Sequence, residues 1–378
     1  MGRPALPMKA ERIAVAMSGG VDSSVAAALL VAQGCEVVGL TMQIWPREER
    51  AEVCPGIRSP RLGSGQACCG LDAVQDARRV ARALGIRHYV LNLREVFQRQ
   101  VIDVFCDEYL RGRTPNPCIL CNTYVKFGDL LRRAREIGAE RLATGHYARV
   151  GWDESRQRWV IRRAVDRAKD QSYTLFDLRQ EQLARALSPV GDMTKSETRA
   201  EAARLGLSVS HKPESQQICF VSGRSYAEYL KQQRPGAARP GPIVDREGRQ
   251  IGRHQGVIFY TVGQRHGLRV AGGTPWYVTG IDAEANRVIV GGEEELRARG
   301  LWMRPVNYVA LPELPQEGAK LQVKIRYGAL PVACRAWAEA GGVALRFWRR
   351  QRAVAPGQAA VCYDREAVAF GGLIESAR

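Results

Sequence analysis

The strongest constraint on the fold lies near the N-terminus, where an apolar run meets a turn rich in serine and glycine. The run is Arg12–Ala16, the turn reads Ser18-Gly19-Gly20-Val21-Asp22-Ser23, and a helical segment follows at Val25–Ala32. A strand that enters a helix through such a turn leaves backbone N–H groups unpaired and pointing outward. These groups carry partial positive charge and can hold an anion. The sequence therefore predicts a phosphate-binding strand–turn–helix, to which the serine hydroxyls could add donors.

Two better-known phosphate-binding patterns do not occur in the sequence. There is no G-x-x-x-x-G-K-[ST] and no G-x-G-x-x-G followed by an acidic ribose contact. The turn instead resembles the pyrophosphate loop of the N-type ATP pyrophosphatases. That resemblance implies binding of ATP, cleavage between its α- and β-phosphates, and adenylation of a substrate oxygen. The alternative is that Ser18–Ser23 is a serine- and glycine-rich turn that binds no ligand, and we favour the ATP site.

Composition limits the number of domains and the class of partner. A chain of 378 residues is long enough for two or three domains. Its 56 Lys and Arg against 39 Asp and Glu give a formal charge of +17. Such an excess favours a polyanionic partner, most simply nucleic acid, because solubility alone is served at least as well by acidic residues.

The sequence also predicts where the protein acts. The first ten residues lack an apolar signal region, and the early apolar stretch Val25–Ala32 is far shorter than the roughly 20 residues that span a bilayer. We therefore expect a cytoplasmic protein with no membrane partner. Ten cysteines in that compartment favour catalysis, redox chemistry or metal binding at some of them over a disulfide scaffold.

The first half of the sequence alternates between strand and helix patterns. Strands are predicted at Cys35–Met42, Arg87–Asn92 and Arg141–Gly145, and an amphipathic helix at Leu71–Leu84. This alternation predicts an α/β fold with a parallel sheet that is covered on both faces. Ligands of such sheets bind beyond the carboxyl ends of the strands, where the first turn and the Thr144–Tyr147 turn would both lie.

The pattern changes twice along the rest of the chain. Pro235–Pro242 is rich in Pro, Gly and Arg, and beyond Leu301 short strands alternate between turns. Leu321, Val323, Ile325 and Tyr327 are predicted on one face, with Gln322, Lys324 and Arg326 on the other. These features predict a small C-terminal β-barrel. The predicted domains are an adenylation domain at 1–212, a small central domain at 213–300 and the barrel at 301–378.

Two cysteine contexts make a family resemblance specific. Cys118 and Cys121 lie in the proline-stiffened segment Arg113–Asn122, and Cys219 lies in Pro213–Phe220. With these and other motifs the chain resembles the bacterial tRNA-specific 2-thiouridylases from end to end. The further motifs are Ser18–Ser23, Ala143–Tyr147, Lys169–Tyr173, Gly252–Leu268, Lys324–Tyr327 and Pro356–Gln358.

The resemblance implies a reaction and its partners. Magnesium-ATP would adenylate the C2 oxygen of the wobble uridine, position 34, of tRNA. Cys219 would carry a persulfide delivered by an upstream donor such as a cysteine desulfurase or a sulfur relay protein. Cys121 would attack that persulfide, leaving a Cys121–Cys219 disulfide or releasing hydrosulfide beside the base. The cations Arg111, Arg113 and Lys126 would lower a thiol pKa there. For Cys35, Cys106, Cys334 and Cys362 we predict buried, unreactive side chains.

The same resemblance implies the remaining site residues. ATP would be bound by Ala16, Met17, Ser18, Gly19, Gly20, Val21, Asp22, Ser23, Met42 and Gly145. Asn116, Pro117 and Cys118 would border the target base. The other tRNA contacts would be His146, Lys169, Asp170, Gln171, Arg326, Tyr327 and Gln358, with the barrel as a tRNA-binding domain. From the residues alone, His146 could equally be a core histidine and Arg326–Tyr327 an ordinary barrel face.

One basic segment has two interpretations. Arg156–Lys169, with Trp152 and Trp159 nearby, would suit phosphate contacts and base stacking. A solvated basic hairpin is an equally good interpretation of the same residues.

Cys118 departs from the family pattern, because some members have Asp there with a proposed role in proton transfer. Cys118, Cys121 and Cys219 could instead supply three thiolates to an iron–sulfur cluster. A zinc site drawing on Cys54, Cys68 or Cys69, or a regulatory redox pair, are further interpretations, and we assign no metal ligand. Two other functions are a different ATP pyrophosphatase, such as an amidotransferase-type synthetase, and a non-catalytic RNA-binding module with a metal knuckle. A synthetase of that kind would need neither two reactive cysteines nor a net charge of +17, and an RNA-binding module would not need the Ser18–Ser23 turn. These features therefore count against both alternatives.

Overall fold

A computed structural model describes residues 11–44, 71–213, 218–221, 225–270 and 275–378. The cysteines of the zinc hypothesis, Cys54, Cys68 and Cys69, lie outside these residues. Within them the strands form three sheets of five, four and eight strands. The five-stranded sheet is formed by the first half of the chain, the four-stranded sheet by its middle, and the eight-stranded sheet mainly by its C-terminal part.

The elements are numbered here in chain order. The strands are β1 (Arg12–Ala16), β2 (Glu36–Gln43), β3 (Arg87–Asn92), β4 (Arg141–Ala143), β5 (Ala148–Asp153), β6 (Arg158–Arg163), β7 (Ala186–Leu187), β8 (Gly241–Val244), β9 (Gln250–His254), β10 (Tyr277–Asp282), β11 (Arg287–Gly291), β12 (Arg297–Tyr308), β13 (Ala319–Lys324), β14 (Val332–Glu339), β15 (Gly342–Arg352), β16 (Ala359–Asp364) and β17 (Ala367–Ala377). The α-helices are α1 (Val21–Ala32), α2 (Leu71–Ala83), α3 (Arg94–Phe97), α4 (Val104–Leu110), α5 (Pro117–Leu120), α6 (Leu131–Glu136), α7 (Gln180–Leu183), α8 (Lys195–Arg204) and α9 (Tyr226–Gln233). Gln98–Asp103 and Cys121–Leu130 are π-helical, and Ser172–Leu175, Val257–Phe259 and Glu293–Leu296 form 3₁₀ turns.

The first sheet is parallel throughout and confirms the predicted α/β fold. Its strand order is β3-β2-β1-β4-β7, so β1 lies at the centre between β2 and β4. Strand β1 consists mainly of apolar residues, and its Ile13, Ala14 and Val15 are fully buried, as expected for a central strand of a parallel sheet. Helix α1 begins at Val21, four residues before the predicted start, because Gly20 is extended and acts as the N-cap. Val21, Asp22 and Ser23, which were predicted as part of the loop, thus belong to the first turn of α1.

The C-terminal sheet closes into the predicted barrel. Strands β12 to β17 form an antiparallel ring in the order β12-β15-β14-β13-β16-β17, closed by pairing of β12 with β17. The hairpin β5–β6, which comes from the first half of the chain, extends this sheet through a pairing of β6 with β17. The barrel was predicted from Leu301, and its first strand begins at Arg297. This use of the hairpin was not predicted.

The basic residues of that hairpin contact the protein itself. Arg156 forms an ion pair with Asp364 of β16, and Arg158 donates hydrogen bonds to the carbonyls of Val309 and Tyr308. Trp152 and Trp159 are opposite each other across β5 and β6, with their rings 5.9 Å apart in an edge-to-face arrangement. The arginines therefore fix the hairpin to the barrel, and the tryptophans hold its two strands together.

The alternation predicted along β13 ends at Lys324. Leu321 and Val323 are buried as predicted, but Lys324, predicted on the opposite face, is also only 9% exposed. Its ammonium group lies 5.8 Å and 5.7 Å from the ring centres of Tyr173 and Tyr327. The outer face of the barrel is covered there by the first half of the chain, whereas Tyr327 is 44% exposed.

The central region packs on helices of the first half. Its sheet has the order β10-β11-β8-β9. Tyr226 at the start of α9 stacks on Tyr109 of α4 with 5.3 Å between ring centres, and Arg234 forms ion pairs with Asp103 and Asp107. The middle of the chain is thus held against the helices that precede the cysteine motif.

Four cysteines are structural, as predicted. Cys106, Cys334 and Cys362 are fully buried and Cys35 is 9% exposed. Burial raises the pKa of the Cys106 thiol to about 11, so it stays protonated. In the part of the chain that the structure describes, no helix combines the length and hydropathy needed to cross a membrane.

Tyr173 tests the interface between the first half and the barrel. It is fully buried and its hydroxyl donates to the carbonyl of Ala359, 2.8 Å away. Tyr173→Phe should lower the free energy of unfolding by about 1 kcal/mol, because a buried carbonyl loses its donor. Urea unfolding would measure the shift. Tyr89→Phe, on an exposed ring of β3, is the control, and equal shifts for both variants would contradict this account.

Candidate active site

The turn after β1 has the geometry of a phosphate-binding loop. Gly19 has φ +66°, and a Cβ there would lie 2.2 Å from the carbonyl oxygen of Ala73, so only glycine fits. The first helical hydrogen bond runs from Ser24 N to Gly20 O at 3.3 Å. The N–H groups of Val21, Asp22 and Ser23 therefore have no acceptor within the helix, and they share the N-terminal end of its dipole.

The serine hydroxyls of the loop are used within it. Ser23 and Ser24 donate to the carbonyl of Gly20 at 3.2 Å and 2.8 Å. The hydroxyl oxygen of Ser23 also accepts from the backbone N–H of Ser18 at 3.2 Å. These bonds fix the loop, and the backbone N–H groups remain as the principal donors for an anion.

Asp22 is held by two side chains from distant parts of the chain. The ammonium group of Lys195 donates to both carboxylate oxygens at 2.6 Å and 2.9 Å, and the hydroxyl of Tyr147 donates at 2.8 Å. Lys195 is buried at the first position of α8, which Thr194 and Glu197 begin with a capping box. Lys195 is not among the predicted site residues, although the capping box places it at a helix start.

The turn after β4 lies directly on the phosphate loop, as its predicted position implies. A Cβ at Gly145 would lie 2.6 Å from Ser23 N and 2.7 Å from the carbonyl carbon of Asp22. The structure thus brings Gly145 together with the loop residues that were predicted to bind ATP. Met42, the remaining residue of that set, is buried near the carboxyl end of β2.

His146 connects this turn to the cysteine-bearing helix. Its Nε2 lies 3.3 Å from the ammonium group of Lys126, and its Nδ1 lies 2.8 Å from the hydroxyl of Thr144. Since an ammonium group can only donate, Nε2 accepts and the ring proton lies on Nδ1. Burial, and then the charge of Lys126, lower the pKa of His146 well below its ordinary value. The imidazole is therefore neutral, and its predicted contact with tRNA stays a prediction.

The cysteine motif begins with a capped helical turn. The side chain of Asn116 accepts from Cys118 N at 3.1 Å, and Pro117 occupies the first helical position. Cys118 is exposed and Cys121 is half-buried at the start of the π-helical segment. One residue later, Asn122 accepts from the ammonium group of Lys126 at 3.0 Å.

The cations predicted around Cys121 are not equivalent. Arg111 and Arg113 both pair with Glu108, and Arg113 also pairs with Glu375. Their charges are compensated by carboxylates, and their predicted effect on the pKa of Cys121 stays a prediction. Lys126, one turn along the same helical segment, remains the candidate cation.

Cys219 lies in a short described segment, Ile218–Val221. Phe220 is buried, with its ring 5.7 Å from Phe97 and 5.3 Å from Phe105. Cys219 and Cys121 are both partly buried and pack against the same hydrophobic core. Their joint role in sulfur transfer stays a prediction.

The cluster hypothesis receives no support from the arrangement of side chains. Among the described residues, no three or more His, Cys, Asp or Glu side chains lie close enough together to hold a metal ion. Cys118, Cys121 and Cys219 therefore do not form a ligand set in this structure, and we derive no chemistry from an iron–sulfur cluster.

The predicted tRNA contacts occupy different environments. Asp170 is buried and accepts from the backbone N–H groups of Ala164 and Ser172, which gives it a structural role here. Gln171 accepts from Tyr147 N at 2.9 Å. Lys169 is partly exposed, and Arg326 and Tyr327 are exposed. Gln358 donates to the carbonyl of Thr114 at 2.9 Å, so its amide contacts the loop that leads to the cysteines.

Known proteins match this chain along nearly its whole length. Family models match a tRNA methyl transferase HUP domain at residues 11–223, a tRNA methyl transferase PRC-barrel domain at 227–292 and an aminomethyltransferase beta-barrel domain at 298–374. The tRNA-specific 2-thiouridylase MnmA of Moorella thermoacetica is 50% identical over 364 residues, 96% of this chain and 99% of that protein. The chain belongs to the tRNA-specific 2-thiouridylase family. The resemblance inferred from the sequence motifs is thereby confirmed.

A second relative and one solved structure complete the comparison. The tRNA-specific 2-thiouridylase MnmA of Geobacter metallireducens is 50% identical over 370 residues, 97% of each chain. The solved structure of a 4-thiouridine synthetase in complex with RNA and ATP aligns with 60% of this chain. The alignment includes 50% of the synthetase chain, at 20% sequence identity and a TM-score of 0.34.

The neutral state of His146 can be tested by titration. Its folded pKa is depressed, so the unfolded chain takes up a proton as the pH falls through about 6.5 and the folded chain does not. The free energy of unfolding should therefore fall toward acid, and His146→Gln should remove this component. NMR titration of the histidine ring signals, assigned with the variant, would measure it. A His146 midpoint near 6.5 in the folded protein would contradict this prediction.

Proposed function

We propose that this protein is an ATP-dependent tRNA 2-thiouridylase, which replaces the C2 oxygen of the wobble uridine with sulfur. The observation that carries the proposal is 50% identity to named 2-thiouridylases over nearly the full length of both chains. The phosphate-binding turn and the two partly buried cysteines supply the chemistry that the reaction needs. We place the reaction in the cytoplasm, where tRNA is found.

The nucleotide step uses the turn after β1. Backbone N–H groups at the start of α1 would hold the phosphates of magnesium-ATP. Gly19 and Gly145 allow Ala73 and the turn after β4 to pack closely on this loop. The uridine C2 oxygen would attack the α-phosphorus and displace pyrophosphate. An oxygen that leaves poorly is thereby converted into the leaving group AMP. Lys195 and Lys212 lie beside the loop, where Lys195 pairs with Asp22, and Lys212 pairs with Asp76 and donates to the carbonyl of Gly19 at 3.0 Å.

The sulfur step would use Cys219 and Cys121. The terminal sulfur of a Cys219 persulfide would attack C2 and displace AMP, so that a disulfide joins Cys219 to the base. The Cys121 thiolate would then attack the Sγ of Cys219, leaving the transferred sulfur on C2 and forming a Cys121–Cys219 disulfide. Two thiols are oxidised as the sulfane sulfur is reduced, and an external thiol would restore the enzyme. Alternatively, Cys121 would release hydrosulfide first, and this would attack the same carbon.

Two macromolecular partners follow from this proposal. The net charge of +17 and the exposed Arg326, Tyr327 and partly exposed Lys169 suit the anticodon region of tRNA. The persulfide on Cys219 requires a donor of the cysteine desulfurase or sulfur relay class. Cys118, exposed beside Asn116 and Pro117, would border the target base.

The nucleotide products test the first step. The protein should convert ATP into AMP and pyrophosphate only when substrate tRNA is present. Asp22→Asn should lower this rate at least about 100-fold, because the variant loses the carboxylate that positions Lys195 and Tyr147 beside the phosphate site. Binding of tRNA should change little. Asp72→Asn, on an exposed residue of α2, is the control, and formation of ADP and phosphate would contradict the proposal.

The cysteines test the second step. Cys219→Ser should abolish thiolation while tRNA-dependent pyrophosphate release continues. Cys121→Ser should retain a persulfide on Cys219, detected by mass spectrometry as one additional sulfur atom on its peptide. Cys118→Ser is the control and should keep appreciable activity. Simultaneous loss of iron and activity in all three variants would instead establish the cluster mechanism.

A further inference from the structure

The segment Gly112–Thr114, directly before the cysteine motif, is enclosed by both other regions of the chain. Gly112 has φ +70°, and a Cβ there would lie 2.6 Å from Cγ2 of Ile281 in β10. On the barrel side, Gly357 has φ +86°, and a Cβ there would lie 2.8 Å from Thr114 N. The two glycines allow the central sheet and the barrel to approach this backbone closely.

Arg113 joins the helix before the motif to the last strand of the barrel. Its Nε donates to Glu108 of α4 at 2.6 Å. Its Nη1 and Nη2 donate to the two carboxylate oxygens of Glu375 in β17 at 2.9 Å and 3.0 Å. All three side chains are largely buried, with exposed fractions of 17%, 14% and 25%. A bidentate pair of this kind fixes orientation as well as distance.

The backbone of Thr114 is bonded to the barrel on both of its polar groups. Its N–H donates to the carbonyl of Pro356 at 2.8 Å, and its carbonyl accepts from the amide of Gln358 at 2.9 Å. Two residues later Asn116 caps the helical turn that carries Cys118 and leads to Cys121. The start of the cysteine motif is thus fixed by residues outside its own sheet.

We propose that the barrel turn Pro356–Gln358, together with Glu375, is a latch that holds the cysteine motif in its reactive position. Gln358 and Glu375 are then positioning residues for sulfur transfer, acting through Thr114 and Arg113. This inference rests on the proposed function. The phosphate loop is held by a different set of contacts, from Ala73, Gly145 and Lys195. The latch therefore governs the sulfur step and leaves adenylation intact.

Two variants of the full-length protein test the latch by kinetics. Glu375→Gln and Gln358→Leu should each lower the single-turnover rate of thiolation at saturating tRNA about tenfold or more, because misplacing a reacting group by about 1 Å costs that much. Glu339→Gln, which removes another carboxylate paired with arginine in the barrel, should not. Pyrophosphate release and the dissociation constant for tRNA should stay within about twofold of the original protein.

Several kinetic outcomes would overturn the latch. One is an unchanged thiolation rate in both variants, and another is an equal loss of pyrophosphate release and thiolation. For Gln358→Leu, weaker tRNA binding with a normal rate at saturation would assign the side chain to tRNA contact alone.

A second measurement does not depend on the proposed function. Iodoacetamide should alkylate the half-buried Cys121 several-fold faster in both latch variants, without tRNA or ATP, because the loop has lost its anchor, whereas Cys118 is exposed in every variant. Mass spectrometry follows alkylation on the peptide that contains both cysteines, and fragmentation assigns the modified residue; Glu339→Gln is the control. Unchanged rates in both variants would refute the latch even in a protein that thiolates tRNA. Thermal unfolding checks folding, and if Glu375→Gln is destabilised, the milder Gln358→Leu decides.

Discussion

The close approach of Gly145 to the first turn of α1 connects the two halves of the site. A methyl group at Gly145 would collide with Ser23 N, so the turn after β4 follows the phosphate loop at van der Waals distance. The next residue, His146, contacts Lys126, and Lys126 contacts Asn122 beside Cys121. A short series of direct contacts therefore runs from the phosphate-binding turn to the cysteine helix. The neutral His146 suits this series, because a second cation beside Lys126 would be repelled.

The positive charge of the chain is largely organised by its own carboxylates. Arg113, Arg156 and Arg234 each pair with acidic residues of another part of the fold. Such partly buried pairs orient the parts of the chain that they join, and their contribution to stability is small or offset by desolvation. The charge available for tRNA is thus carried by a smaller set of exposed residues, such as Arg326. Sequence charge identified the class of partner correctly but could not assign that set.

The periodicity of apolar residues and the positions of glycine predicted the strands and helices whose bounds depend on neighbouring residues. Arg87–Asn92 is a strand with the predicted bounds, and α2 ends just before Gly85, whose positive φ terminates it. The serine- and glycine-rich turn predicted the phosphate loop, and the resemblance to a known family supplied its ATP chemistry and the cysteine pair, which periodicity alone does not reveal. Helix α1 began earlier than predicted because Val21, Asp22 and Ser23 read as turn residues in isolation. The bond from Ser24 N to Gly20 O makes them helical.

Long-range contacts lay beyond sequence reasoning. Lys195 reaches Asp22 across most of the first half of the chain, and Gly357 fits against Thr114 only because the barrel packs there. Neither contact has a periodic signature. Lys324 was predicted on the opposite face from Leu321 and Val323 but is buried, because the first half of the chain covers the outer face of the barrel there. The alternation of residues along β13 does not reveal that contact.

The pairing of β6 with β17 has a consequence for how this chain is made. Strand β6 emerges from the ribosome roughly 200 residues before its neighbour, so its edge and the apolar Val160 and Ile161 stay uncovered until β17 is made. An unpaired strand edge of this kind is a template for association between chains. The hairpin therefore makes the first half of the chain dependent on the synthesis of β17, and a chain that stops before β17 retains an open sheet edge that favours aggregation.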